Sequence, residues 1–118
     1  MKRRRSFSAE FKAKVALEAL AGEKTLSATK SGQQIVIEVK SFLGRSAMRE
    51  FETALGQYLI YRAFLSVEKP EYTVYLAIGQ GIYESFFQQR AIKFILQQYE
   101  VLLLVIDFDK EEVVEWIS

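Results

Sequence analysis

The stretch Gln33-Gln34-Ile35-Val36-Ile37-Glu38-Val39-Lys40-Ser41-Phe42 decides the fold of this chain. Its β-branched residues and its alternation predict a strand over 33–42, with Ile35, Ile37 and Val39 on one face and Val36, Glu38 and Lys40 on the other. The first of these faces is expected to be core. Upstream, a weaker alternation over 24–29 and the turn residues Lys30-Ser31-Gly32 make the two segments a hairpin.

Working outward, Gly44 interrupts the strand and Ser46 can cap a helix running to about Leu65. Phe51, Leu55, Leu59 and Ala63 would form its apolar stripe at i+4 spacing. Pro70 ends the connection, and Tyr72 to Ile78 reads as a buried strand. Gly79-Gln80-Gly81 lacks the third glycine of a dinucleotide fingerprint, so it is read as a strand-to-helix turn rather than a phosphate cradle. One helix is predicted over Ile82 to Tyr99, then a continuous apolar strand, Val101 to Phe108, near the sheet centre. Asp109-Lys110-Glu111 turns the chain into a last strand, Val113 to Ile117. At the other end, Ser6 to Leu20 predicts a helix with Phe7, Phe11 and Val15 on one side and Gly22 as its stop. The element order is that of an α/β protein with a mixed central sheet flanked by helices.

With 118 residues, half of them hydrophobic, the chain is expected to be one domain with one modest core. It has neither cysteine nor histidine. That excludes disulfides, thiolate nucleophiles, Ser-His triads and the commonest transition-metal ligands. Any metal would be held by carboxylates, and would therefore be a hard cation such as Mg2+ or Mn2+. The formal net charge is only +1, so DNA contact would need a local patch. Met1 to Arg5 is the one dense basic run. Val101 to Ile106 is far short of the roughly 20 apolar residues that span a bilayer. The basic start is followed by Glu10, Lys12, Lys14 and Glu18, not by the apolar core of a signal peptide. The chain is therefore read as cytoplasmic, with no membrane partner.

Glu38 and Lys40 share one strand face, two residues apart. A carboxylate there can ligate Mg2+, the carbonyl of Val39 can add an oxygen, and the amine can orient water toward a phosphodiester. Alternating Glu and Lys on the solvent face of a strand is the competing structural reading. On the following helix Gln57 and Tyr61 lie one turn apart and point the same way, with Tyr58 and Arg62 beside them. Here the competing reading is a polar helix flank with a half-buried tyrosine.

A strand Glu-x-Lys followed by a helical Gln-x-x-x-Tyr resembles the PD-(D/E)XK nuclease superfamily, its RecB-like members in particular. A more specific likeness runs through Gly32-Gln33 and Ile35 to Phe42, then Ala54-Leu55-Gly56-Gln57-Tyr58 with Tyr61-Arg62, then Tyr75-Leu76-Ala77. It ends with Leu103-Leu104-Val105 and Glu115-Trp116-Ile117-Ser118. Over about residues 23–118 this pattern resembles the XisH family of fdxN-element excision controlling factors. The resemblance implies a restriction-endonuclease-like core and a role in programmed excision of a DNA element, with a site-specific recombinase and a small partner, XisI. It also implies Glu38, Lys40, Gln57 and Tyr61 as catalytic residues if the nuclease chemistry is kept. Family membership does not itself establish cleavage.

Two departures stand out. Ala19 falls where the superfamily places the Asp that is its first metal ligand, which leaves Glu18, or Glu23 a turn further on, as a strained substitute. In addition, Met1 to about Leu26, including Arg3-Arg4-Arg5-Ser6-Phe7-Ser8-Ala9-Glu10-Phe11-Lys12, resembles the opening of the helix-turn-helix subunit of insertion-sequence transposases. Only the first helix of that unit is present, so no recognition helix for a major groove is encoded. Residues 1–22 are thus read as a basic arm and helix of foreign, transposase-like origin on a single 1–118 domain. Arg3, Arg4, Arg5 and Arg62 are the candidate DNA contacts. Three functions remain open: an excision regulator with a XisI-like partner, a Mg2+-dependent DNA endonuclease, or an inactive structural remnant. The apolar content of so small a domain predicts a homodimer.

Overall fold

The structure, a computed structural model, describes residues 24–30 and 33–117, with side chains from residue 34 onward. Five strands form one sheet in the order β1-β2-β3-β4-β5. β1 (Lys24–Lys30) and β2 (Gln33–Val39) are the antiparallel hairpin expected from the alternation, with Thr25 opposite Glu38 and Leu26 opposite Ile37. β2, β3 (Thr73–Gly79) and β4 (Leu103–Asp107) run parallel. β5 (Glu112–Ile117) returns antiparallel to β4.

The two parallel steps need crossovers. The first is α1 (Ala47–Glu68), and the second is α2 (Gln80–Glu84), a 3-10 turn (Phe86–Gln88) and α3 (Arg90–Gln98). Right-handed crossovers between strands laid down in one direction carry their helices to one face of the sheet. The helix-side core follows from that. Val36, Val74, Leu76, Ile78 and Leu103 from the sheet meet Phe51, Ala54 and Tyr58 of α1, Phe86 and Phe87 of the turn, and Ile92 and Leu96 of α3. On the other face Ile35, Ile37, Val39, Tyr75, Ala77, Leu104, Ile106 and Val113 form a second buried cluster, with the Tyr75 and Trp116 rings edge to face at 4.9 Å. The expected N-terminal helix over Ser6 to Leu20 lies outside the described residues.

Several expectations are corrected by this architecture. The predicted core face of β2 is buried, but so is the other: Val36, Glu38 and Lys40 are 3%, 8% and 5% exposed. A strand inside a parallel sheet is covered on both sides once a crossover helix packs over it. The strand also ends at Val39 rather than Phe42, because Phe42 takes a left-handed backbone at φ 53°. In α1 the buried line is Phe51, Ala54, Tyr58, while Ala63 is exposed. Steps of i+4 advance about 400° around the helix, so a strict i+4 row drifts off the buried side within three steps.

The single helix expected over Ile82–Tyr99 is broken. Ser85 leaves the helical region at φ −109°, ψ −86°, and its hydroxyl donates to the Gly81 carbonyl at 2.8 Å. The Gln88 amide side chain donates to the Tyr83 carbonyl at 2.9 Å across the break. The cause is packing. Phe86 and Phe87 are adjacent, yet both are buried and both ring centroids sit 5.6 Å from that of Phe51. A continuous helix would hold adjacent side chains about 100° apart, so the chain breaks to bring both rings into one core.

Candidate functional site

Glu38 and Lys40 lie toward the C-terminal end of β2, on the side that α1 covers. The backbone N–H of Lys40 donates to the Ala77 carbonyl at 3.0 Å, one residue beyond the formal end of β2, so β3 fixes its position. Its ammonium donates to Oε1 of Gln57 on α1. Both Glu38 and Lys40 make further polar contacts, so neither is an orphaned buried charge. The solvent-face reading of this Glu-x-Lys pair is thereby excluded.

What places Gln57 above Lys40 is the seating of α1. Its start is set by Ser46, whose Oγ accepts from the Arg49 N–H at 3.2 Å, satisfying one free N-terminal donor. Glu50 in the first turn accepts from the Gly44 N–H at 2.6 Å. A Cβ at Gly44 would come within 2.8 Å of that carboxylate, so a side chain there would push Glu50 out of this position. In the same loop the Phe42 ring packs edge to face on Phe87 at 5.5 Å. About two turns beyond Glu50, Tyr58 is fully buried. Its hydroxyl donates to the Val74 carbonyl at 2.9 Å and accepts from the Leu102 N–H at 3.2 Å. One phenol thus pins α1 to β3 and to the entry of β4. With Tyr58 directed into the sheet, its neighbour Gln57 is held at the level of Lys40.

The other residues anticipated from the sequence are distributed more widely. Tyr61 is half-buried against the helix-side core and lines a groove of about 480 Å³ with Val36, Phe64, Leu65, Glu68 and Tyr72. Tyr61 thus lies beside Val36, while Gln57 meets Lys40. Arg62 has a structural engagement: its guanidinium donates to the Glu100 carbonyl at 3.0 Å and lies 5.3 Å from the centre of the Tyr58 ring. It braces the turn where Glu100 adopts φ 50° after α3. Glu18 and Arg3, Arg4 and Arg5 fall outside the described residues.

Among the described residues no three His, Cys, Asp or Glu side chains converge as a metal cluster. On the strand face of Lys40 the carboxylate is Glu38, and one carboxylate falls short of the several oxygens a hard cation needs. What the described site does offer is a buried ammonium fixed by an amide, with a carboxylate on the same strand face. That is a device for holding an anionic oxygen or a water at a defined point. Tyr58 and Glu50 are the residues that reading the sequence missed as organisers. The signal for Tyr58 was its place on the apolar row with Phe51 and Ala54, since a buried tyrosine needs partners for its hydroxyl.

Fold and site together define an α/β protein whose mixed sheet presents Glu-x-Lys from an interior strand to a glutamine on the crossover helix. A family model described as XisH protein matches residues 6–114. The chain belongs to the XisH family. The matched span takes in residues 6–22, the stretch compared above with a transposase subunit.

Two solved structures agree. An XisH family protein from Nostoc punctiforme PCC 73102 is 34% identical, with a TM-score of 0.78 over 92% of this chain and 97% of that one. A fdxN element excision controlling factor protein from Anabaena variabilis is 33% identical, with a TM-score of 0.79 over 92% of this chain and 99% of that one. No curated protein matches the chain.

Proposed function

We propose that this chain is a controlling factor for the programmed excision of a DNA element, acting in the cytoplasm together with a XisI-like partner and in contact with DNA. The observation that carries the reading is its likeness to the Anabaena variabilis factor over nearly the whole of both chains. No helix among the described residues is long and apolar enough to cross a membrane. Co-expression with a XisI-like protein followed by size-exclusion chromatography is expected to give a stable complex. Two separate peaks under all conditions would overturn the partner assignment.

A second reading, a Mg2+-dependent DNA endonuclease, is favoured by one specific observation: the Lys40 ammonium is held by Gln57 on the strand face that also carries Glu38. In this reading Glu38 is a metal ligand, and Glu18 or a carboxylate from a second subunit completes the set. Lys40 positions the water or a phosphate oxygen, and Gln57 and Tyr61 hold the lysine or the strand. Isothermal titration with Mn2+ tests the site without any appeal to turnover. Binding that is lost in Glu38→Gln, together with plasmid cleavage lost in Lys40→Ala, is the expected result. Cleavage unaffected by Lys40→Ala would refute the mechanism.

A further inference from the structure

The two sides of α3 (Arg90–Gln98) differ sharply. Ile92 and Leu96 are buried in the helix-side core, and Ile95 packs against it. On the opposite side Arg90, Lys93, Phe94, Gln97 and Gln98 are all exposed, Phe94 at 63%. At about 100° per residue, Arg90, Phe94 and Gln97 fall within about 60° of one another, with Lys93 and Gln98 on the two flanks. No carboxylate occurs from Ser85 to Tyr99. The nearest along the chain, Glu84 and Glu100, stand before the break and beyond the last turn of the helix. A face that served solubility alone would mix acids with its bases. This one holds two cations, two amides and an aromatic ring.

We propose that this face of α3 enters the major groove of duplex DNA, an inference that rests on the DNA contact of the proposed function and gives that contact a place. The residue types match what the groove presents. An arginine donates two bonds to the O6 and N7 of guanine, a glutamine pairs with the N6 and N7 of adenine, and a phenylalanine ring packs on the thymine methyl. Arg90, Gln97 and Phe94 are such residues, and they share the central strip. Lys93, on the flank, meets the phosphate backbone. The helix of nine residues is about 14 Å long, and a major groove about 12 Å wide admits an α-helix. Both cations lie in its N-terminal half, the end that such helices bring to the bases, so Glu100 at the far end stays away from the phosphates. The second helix missing from the N-terminal helix-turn-helix likeness is thereby supplied elsewhere in the chain.

Selection by the full chain from a pool of DNA duplexes with a randomised centre, followed by fluorescence anisotropy on the selected and unselected duplexes, tests the proposal. Lys93→Ala is expected to weaken binding to every duplex alike and to lower the slope of log Kd against log salt by about 0.9. Arg90→Ala is expected to weaken binding to the selected duplex by about tenfold or more, and to lose the preference for guanine at one position. Both side chains are exposed, so the circular dichroism spectrum and the complex with a XisI-like protein are expected to be unchanged. DNA binding that neither substitution alters overturns the proposal and leaves the DNA contact itself standing, as does a wild type that binds duplexes but selects no sequence. A wild type that binds no duplex at low salt overturns both. Unchanged DNA binding in Phe94→Ala, together with loss of the XisI-like partner, also overturns the proposal and assigns the face to that protein.

Discussion

Replacing Tyr58 by phenylalanine removes one oxygen and two hydrogen bonds while leaving the shape of the core intact. The hydroxyl donates to the Val74 carbonyl and accepts from the Leu102 N–H, and the residue is fully buried. A buried N–H left without its acceptor costs about 1–3 kcal/mol, and loss of a donor to a carbonyl about 0.5–1.5 kcal/mol. The sum, allowing for non-additivity at one atom, is about 2–4 kcal/mol. Unfolding entropy near the midpoint is about 2.1 cal/mol/K per residue, roughly 0.25 kcal/mol/K for a chain of this length, so Tm should fall by about 8–16 °C. Thermal melts and urea titrations of the wild type and Tyr58→Phe measure this, with the urea m value unchanged. A fall in Tm of less than about 2 °C, given the same slope of about 4 °C per kcal/mol, would refute the view that this phenol seats α1 on the sheet.

The remaining expectations follow from the same contacts. Gln57→Ala deprives the buried Lys40 ammonium of an acceptor; because Gln57 is itself exposed, a loss of about 1–2 kcal/mol is expected. A double-mutant cycle with Lys40→Met in urea should show coupling above about 0.5 kcal/mol, and purely additive losses would count against the pairing. Phe87→Ala empties the position shared with Phe42, Phe51 and Phe86 and should cost about 3–5 kcal/mol, read from the urea midpoint. Ser46→Ala removes the cap of α1 and should cost about 1 kcal/mol, whereas Ser46→Asp should restore most of it.

Much of this architecture was legible along the chain because its signals are local. Val, Ile and Leu runs bounded by Gly, Pro and Ser marked the strands, and each appears within a few residues of its expected place. The cap at Ser46 could be named for the same reason, since it depends on residues three apart. Ile82 to Tyr99 was misread because nothing local distinguishes Phe86-Phe87 in a helix from the same pair in a break. The decision belongs to Phe51, more than thirty residues earlier, around which both rings must fit.

The candidate site divides along the same line. That Glu38 and Lys40 share a face follows from the two-residue period of a strand, and that Gln57 and Tyr61 share a side follows from the helical turn; both are properties of backbone geometry alone. Which of these four groups meet is a matter of packing. The seating of α1, fixed by Tyr58 against β3 and β4, brings Gln57 to Lys40 and carries Tyr61 past them to Val36. Burial of Glu38 and Lys40 was equally out of reach of the sequence, because a strand with alternating charges looks solvated until a crossover helix covers it. Periodicity assigns a side chain to a face; only the tertiary contacts decide what that face is pressed against.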